Sequence, residues 1–284
     1  MYRIEHIVYL NQSAKTEEMS LCAMKSLVDY CGDIPVSDLT FDMIRKWKIA
    51  LSKSRGQNTV RGYIIKVRVV LKHLNLKGYT DILNYEMVGV PKRKSTQVEY
   101  LTAEEVSMFI DAAFQPLAGY STLNRYRNRA IIALFYASGI RNSELKNLNI
   151  TDLRYDTMTF TIVGKGDKPR LCFFDARARL YIQEYLALRT DRSHALFISE
   201  LTGERISSAI LQMIFRNISA KWNVGKQVYP HLMRHSFATN LLQNNTNLLY
   251  VRDFLGHESI VTTQMYTHVV NMDLQMIYEK NHTV

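Results

Sequence analysis

Arg141, Lys165, His231, Arg234, His257 and Tyr266 follow one another along the second half of a 284-residue chain, each next to a turn or a helix start. Five of these side chains are cations or imidazoles able to surround one phosphate, and the sixth is a phenol able to attack it. A phenol with a pKa of about 10 is a poor nucleophile near neutrality. Two arginines, a lysine and two histidines packed around it change that, because they stabilise both the phenolate and the added charge of a pentacoordinate phosphorane. Attack leaves a covalent phosphoester that preserves bond energy for rejoining without ATP. No carboxylate cluster suggests a catalytic metal, so no metal ion and no cofactor are expected and the cations take the metal's place.

The local patterns say how each group is carried. In Gly139-Ile-Arg-Asn-Ser-Glu-Leu, Arg141 stands where a helix begins, with Asn142 or Ser143 as caps. A cation there opposes the helix dipole, a cost that makes sense if free amides and a guanidinium share an anion. Glu144, one turn on, is placed to hold that guanidinium. Strands over 158–163 and 171–174 predict a hairpin whose turn, Gly164-Lys165-Gly166-Asp167-Lys168, frames Lys165 with glycines and leaves Lys168 as the alternative. A lysine so placed can protonate a leaving oxygen. Pro230 suits a first helical position, which puts His231 and Arg234 in the first turn as a second anion site. His231 and His235 are also spaced like metal ligands or core histidines, but Leu232 stands where a metalloprotease helix needs glutamate. Leu255-Gly256-His257 reads as a helix end with a left-handed glycine, and Ser259 caps a short helix leading to Tyr266. With 17 tyrosines in the chain, Tyr266 alone would read as a packed aromatic.

The elements that must position these groups divide unevenly. Helices are predicted near 16–31, 38–54 and 57–76, the last with an apolar stripe of Val60, Ile64, Val67, Leu71 and Leu74 beside Arg61, Lys66, Arg68 and Lys72. Residues 1–95 carry 16 basic and 9 acidic side chains and residues 96–284 carry 20 and 17, so the excess of +10 sits mainly in the first third. Those four side chains, with Lys92, Arg93 and Lys94, are the expected contacts to a nucleic-acid backbone. Gly89 to Ser95 breaks the helical pattern, and Thr102-Ala-Glu-Glu105 has the form of a capping box. The reading is a helical domain over 1–90, a linker over 91–100 and a second domain over 101–284, with helices near 102–113 and 123–138 and again from about 176 onward. The fold class is mainly α with a small β-hairpin. No run approaches the ~18 apolar residues of a membrane span, and no export signal is visible, so the expected location is cytoplasmic with no membrane partner. Cys22, Cys31 and Cys172 suggest neither a disulfide framework nor a zinc site.

The motifs Gly139-Ile-Arg-Asn-Ser-Glu-Leu145, His231-Leu-Met-Arg-His-Ser-Phe-Ala-Thr239 and Leu255-Gly-His-Glu-Ser-Ile-Val-Thr-Thr-Gln-Met-Tyr-Thr-His268 resemble, in order, those of the tyrosine recombinase (integrase) family, with Xer-type members nearest in pattern. The resemblance covers about 98–270, and Met233 stands where leucine is more usual. It implies a two-domain tyrosine recombinase architecture, with an N-terminal helical core-site binding domain and a C-terminal mixed α/β catalytic domain. It implies a site-specific recombinase that exchanges DNA strands through a Holliday junction. Tyr266 would form a 3′-phosphotyrosyl link, Arg141 and Arg234 would clamp the scissile phosphate with His257, Lys165 would protonate the departing 5′ oxygen, His231 would assist proton transfer, and Glu144 would support the site. It further implies double-stranded DNA as partner and a homotetramer on DNA, with residues 267–284 docking on a neighbouring subunit.

Overall fold

A computed structural model describes residues 14–92, 99–116, 118–163, 169–222 and 226–256. The chain forms two compact units, Met1–Thr96 and Gln97–Val284.

In the first unit, helices α1 (Ala14–Cys31), α2 (Phe41–Ser54) and α3 (Gln57–Leu76) pack around Leu27, Ile44, Trp47, Leu51, Val60, Ile64, Val67, Leu71 and Val88. The stripe on α3 is buried as expected at its first four positions, while Leu74 is only half-buried. Trp47 anchors the core, its indole N–H donating to Ser26 Oγ at 3.3 Å and its ring stacked on Tyr63. α2 starts at Phe41, not at 38. The Thr40 hydroxyl accepts the Met43 N–H at 3.3 Å and fixes the first turn there. A separate 3-10 turn covers Val36–Asp38.

The second unit is built around α5 (Thr122–Ser138), whose segment from Ala130 to Phe135 is buried on every face. Helix α4 (Ala103–Phe114) packs against it after the predicted capping box, in which Thr102 Oγ1 accepts from Glu105 N and Glu105 Oε2 accepts from Thr102 N. The one-turn helix α6 (Asn142–Leu145) follows. Three antiparallel strands come next in the order β1 (Leu153–Arg154), β2 (Thr159–Val163) and β3 (Pro169–Phe173). The predicted hairpin is therefore present, with Thr159 opposite Phe173 and Val163 opposite Pro169. β1 was not foreseen, being only two residues long. Met158 lies outside β2 because it turns the chain with φ +52. Helices α7 (Ala176–Ala187), α8 (Ser208–Lys221), α9 (Pro230–Gln243) and α10 (Leu248–Leu255) complete the unit.

Segment 188–207 has no long helix or strand, and arginine fixes it to the chain beyond α6. Arg205 Nη1 donates to Lys146 O and Leu148 O, and its Nη2 donates to Asn149 Oδ1. Leu196 N–H donates to Leu148 O at 2.9 Å. Among the described residues, no helix is long and apolar enough to cross a membrane.

Candidate active site

Two helix ends create the site. α5 stops at Gly139, which adopts φ +59 and ψ 21 and donates its N–H to Phe135 O. A Cβ at this position would strike the Phe237 ring, with Cε1 2.7 Å away, so both the backbone angle and the space require glycine. The turn passes through fully buried Ile140 and delivers Arg141. α10 likewise stops at Gly256, as the sequence predicted, with φ +61 and ψ 48. The carbonyl oxygens released at these two ends receive the arginines. Arg234, only 2% exposed, donates from Nη1 to Gly139 O at 2.5 Å and from Nη2 to Leu255 O at 2.6 Å. Arg141 donates from Nη2 to Gly256 O at 3.1 Å.

Arg141 is itself the residue that caps α6. Its backbone is extended, and the Glu144 carboxylate accepts its N–H at 2.7 Å and its Nη1 at 2.8 Å. Neither Asn142 nor Ser143 plays the expected capping role, and Asn142 Oδ1 is buried with no hydrogen-bond partner among the described residues. The negative end of the interaction is thus a carboxylate at N3 rather than a small polar residue at the cap. Glu144 also receives Arg170, with Nη1 to Oε1 at 2.8 Å and Nη2 to Oε2 at 2.7 Å. Burial by itself pushes the Glu144 carboxyl up. The donors of Arg170 and of the Arg141 backbone and guanidinium outweigh that and hold it down at about 2.

Arg170 escaped the sequence reading. The available signal was register: along β3, Pro169, Leu171 and Phe173 are exposed while Arg170 and Cys172 turn inward, an arginine on the side where an apolar residue is the ordinary choice. Burial raises the Cys172 thiol to about 11, against the opposing pull of Arg170.

Pro230 opens α9 at its first helical position, as expected from the sequence. His231 follows in the first turn, but Arg234 is the fifth helical residue and lies one turn in, its guanidinium turned to carbonyl oxygens rather than to the free amides at the helix start. His231 keeps an exposed face and packs edge-on against His235 with ring centroids 4.4 Å apart. Its pKa is lowered by desolvation first, then by the charges of Arg234 and Arg141. No group of three or more His, Cys, Asp or Glu side chains among the described residues is arranged to hold a metal ion.

The structure therefore brings Arg141, Glu144, His231 and Arg234 into one neighbourhood. Lys165, His257 and Tyr266 lie outside the described residues, as do Arg93 and Lys94. In the first unit, Arg68 is half-buried, with Nη1 on Val88 O and its guanidinium over the Tyr85 ring, and Lys72 sits over the same ring. Arg61 and Lys66 are half-buried and Lys92 is exposed.

Residues 99–272 match the model of the phage integrase family. The tyrosine recombinase XerC of Vibrio cholerae is 33% identical over 221 residues, covering 76% of this chain and 68% of that protein. The chain belongs to the phage integrase family of tyrosine recombinases. Among solved structures of this family, the Tn1549 transposon integrase in complex with transposon right end DNA superposes with a TM-score of 0.77 at 16% identity, covering 96% of this chain and 95% of that one. The XerH site-specific recombinase bound to its palindromic difH substrate gives a TM-score of 0.75 at 22% identity, covering 95% and 80%. These two likenesses establish the tyrosine recombinase fold, mostly helical with a small sheet.

Proposed function

We propose that this tyrosine recombinase cuts and rejoins specific DNA sites through a 3′-phosphotyrosyl intermediate, exchanging strands by way of a Holliday junction. The observation that carries the reading is the convergence of Arg141 and Arg234 on the paired helix ends at Gly139 and Leu255–Gly256, with Glu144 fixing Arg141 from behind. A guanidinium held this way stabilises charge that develops on a phosphate without having to reorganise. Arg141, whose side chain is 36% exposed, has donors beyond the two directed at Glu144 and Gly256.

In this mechanism the Tyr266 oxygen attacks the scissile phosphorus while the bond from phosphorus to the 5′ oxygen breaks. Lys165 gives a proton to the departing 5′ oxygen. His257 hydrogen-bonds the phosphate, and His231, its pKa lowered by burial and by its cationic neighbours, assists proton transfer to or from the tyrosine. A 5′ hydroxyl from the partner strand then attacks the phosphotyrosine, restores the phosphodiester and releases Tyr266. One phosphodiester is exchanged for another at each step, so no ATP is consumed, and the cationic side chains do the work a metal ion would otherwise do.

Residues 1–90 act as a cationic clamp on the duplex through Arg61, Lys66, Arg68 and Lys72, the linker over 91–100 adds the basic run Lys92-Arg93-Lys94, and 101–284 form the catalytic domain. Four subunits assemble on two duplexes in the cytoplasm, each exchanging its 267–284 segment with a neighbour.

The experiment is an SDS-resistant adduct assay on a pool of source-genome fragments in the presence of EDTA, with Tyr266→Phe alongside. A covalent adduct formed by wild type and lost in Tyr266→Phe, while that variant still binds DNA, is the expected result. An adduct of equal yield with Tyr266→Phe removes the assigned nucleophile.

A further inference from the structure

We propose that Arg170 is the positioning residue for Arg141, acting through Glu144, an inference that rests on the recombinase reading above. Three separate stretches of sequence meet at this side chain. It projects inward from β3, the strand that follows the segment carrying Lys165. Its two terminal nitrogens engage both oxygens of Glu144, which belongs to the Arg141 turn. Its aliphatic stem lies under Gly256, where an added Cβ would come within 2.7 Å of Arg170 Cδ and 2.9 Å of Nη1.

The geometry gives the interaction a direction. Each oxygen of Glu144 accepts one bond from Arg170 and one from Arg141: Oε1 takes the two Nη1 donors, and Oε2 takes Arg170 Nη2 and the Arg141 backbone N–H. The fork from Arg170 matches the carboxylate plane and prevents it from rotating. Without that fork, Glu144 could still meet Arg141, but in a range of orientations, and the Arg141 guanidinium would follow it. With its side chain 11% exposed and both terminal nitrogens on Glu144, Arg170 is placed to orient rather than to touch DNA.

Arg170→Met removes the fork. Arg170→Lys keeps the charge, and with it the fold should the methionine variant prove unstable, but offers a single point of attachment. Two measurements on the full chain separate the possibilities. The first is nitrogen-15 NMR of the arginine side chains without DNA. Wild type is expected to show separate Nη resonances for Arg141 because its Cζ–Nη rotation is hindered. Both variants are expected to merge them, while the Arg189 signals, held by Asp191 and backbone carbonyls, stay resolved as an internal control. The second is the rate of adduct formation at saturating concentration of the duplex recovered by wild type. A fall of about 10- to 100-fold is expected for Arg170→Met, of the order that small misplacements of a reacting group produce. Affinity should stay within about twofold and the salt slope should not change, since no phosphate contact is removed. Arg170→Lys should recover part of the rate, and adding Arg170→Met to Glu144→Gln should cost nothing more.

Unchanged Arg141 resonances in both variants overturn the proposal. So does a wild-type rate in either folded variant, and so does a weaker, less salt-dependent affinity, which would make Arg170 a direct phosphate contact. If wild type itself forms no adduct with any duplex, the recombinase reading fails, and the NMR comparison still decides whether Arg170 orders Arg141.

Discussion

Replacing Glu144 with glutamine tests how the site is held, because it removes one charge and almost no volume. The Glu144 side chain is 8% exposed and accepts four hydrogen bonds, and its pKa lies at about 2 against an ordinary 4.5. A gap of that size corresponds to about 3 kcal/mol of stability carried by the ionised carboxylate. The folded-state pKa is depressed, so the unfolded chain takes up the proton first as the solution is acidified. The contribution is complete above about pH 4.5 and is lost as the pH falls toward about 2. The amide that replaces the carboxylate in Glu144→Gln does not titrate, and its NH2 faces donors where an oxygen is required, so one arginine loses its partner. Urea unfolding of wild type and Glu144→Gln should differ by roughly 3 kcal/mol at pH 7. The difference should shrink steadily between about pH 4.5 and pH 2.5, because a protonated Glu144 and the variant's neutral amide carry the same charge. A difference equally large at pH 7 and pH 3 would refute the reasoning, since charge would then not be what the pocket selects.

Gly139→Ala should destabilise the protein by about 2–4 kcal/mol, combining the cost of a left-handed residue with the clash on Phe237, as read by chemical denaturation; wild-type stability would show that the turn can relax. Arg234→Lys cannot reach both Gly139 O and Leu255 O in the way a guanidinium does, so a loss of about 1.5–3 kcal/mol per abandoned charged bond is expected in the same assay. It should also lose adduct formation at saturating DNA, and retention of both properties would contradict the assigned clamp. DNA affinity should fall steeply with salt, and Lys92→Ala should lower the slope by about one, whereas a salt-independent affinity would remove the case for the cationic first unit.

The legibility of the fold followed the range of the interactions. Local rules found the Thr102 capping box, Pro230 at its helix start, the left-handed Gly256 and the buried stripe on α3, because each depends on residues within a few turns of one another. The cap at Arg141 was misassigned for an instructive reason. Asn and Ser have high intrinsic cap preference, but here a buried carboxylate that must also satisfy Arg170 takes the backbone N–H. Arg170 could not be found by motif spacing, since its partner stands 26 positions earlier and the contact exists only once β3 lies beside α6. The inward direction of Arg234 was hidden for the same reason, because the oxygens it meets are 95 and 21 residues away. Backbone carbonyls leave no trace in residue identity.

That last point governs how mutation should act on this protein. Both arginines reach main-chain oxygens, Arg234 those of Gly139 and Leu255 and Arg141 that of Gly256, and no side-chain replacement can delete these acceptors. The cradle is encoded by where the chain turns, and the residues that set the turns are glycines with no functional group of their own. In a saturation screen, positions 139 and 256 should therefore be as intolerant as positions 141 and 234, because a main-chain oxygen displaced by an altered turn cannot be restored by exchanging a second side chain.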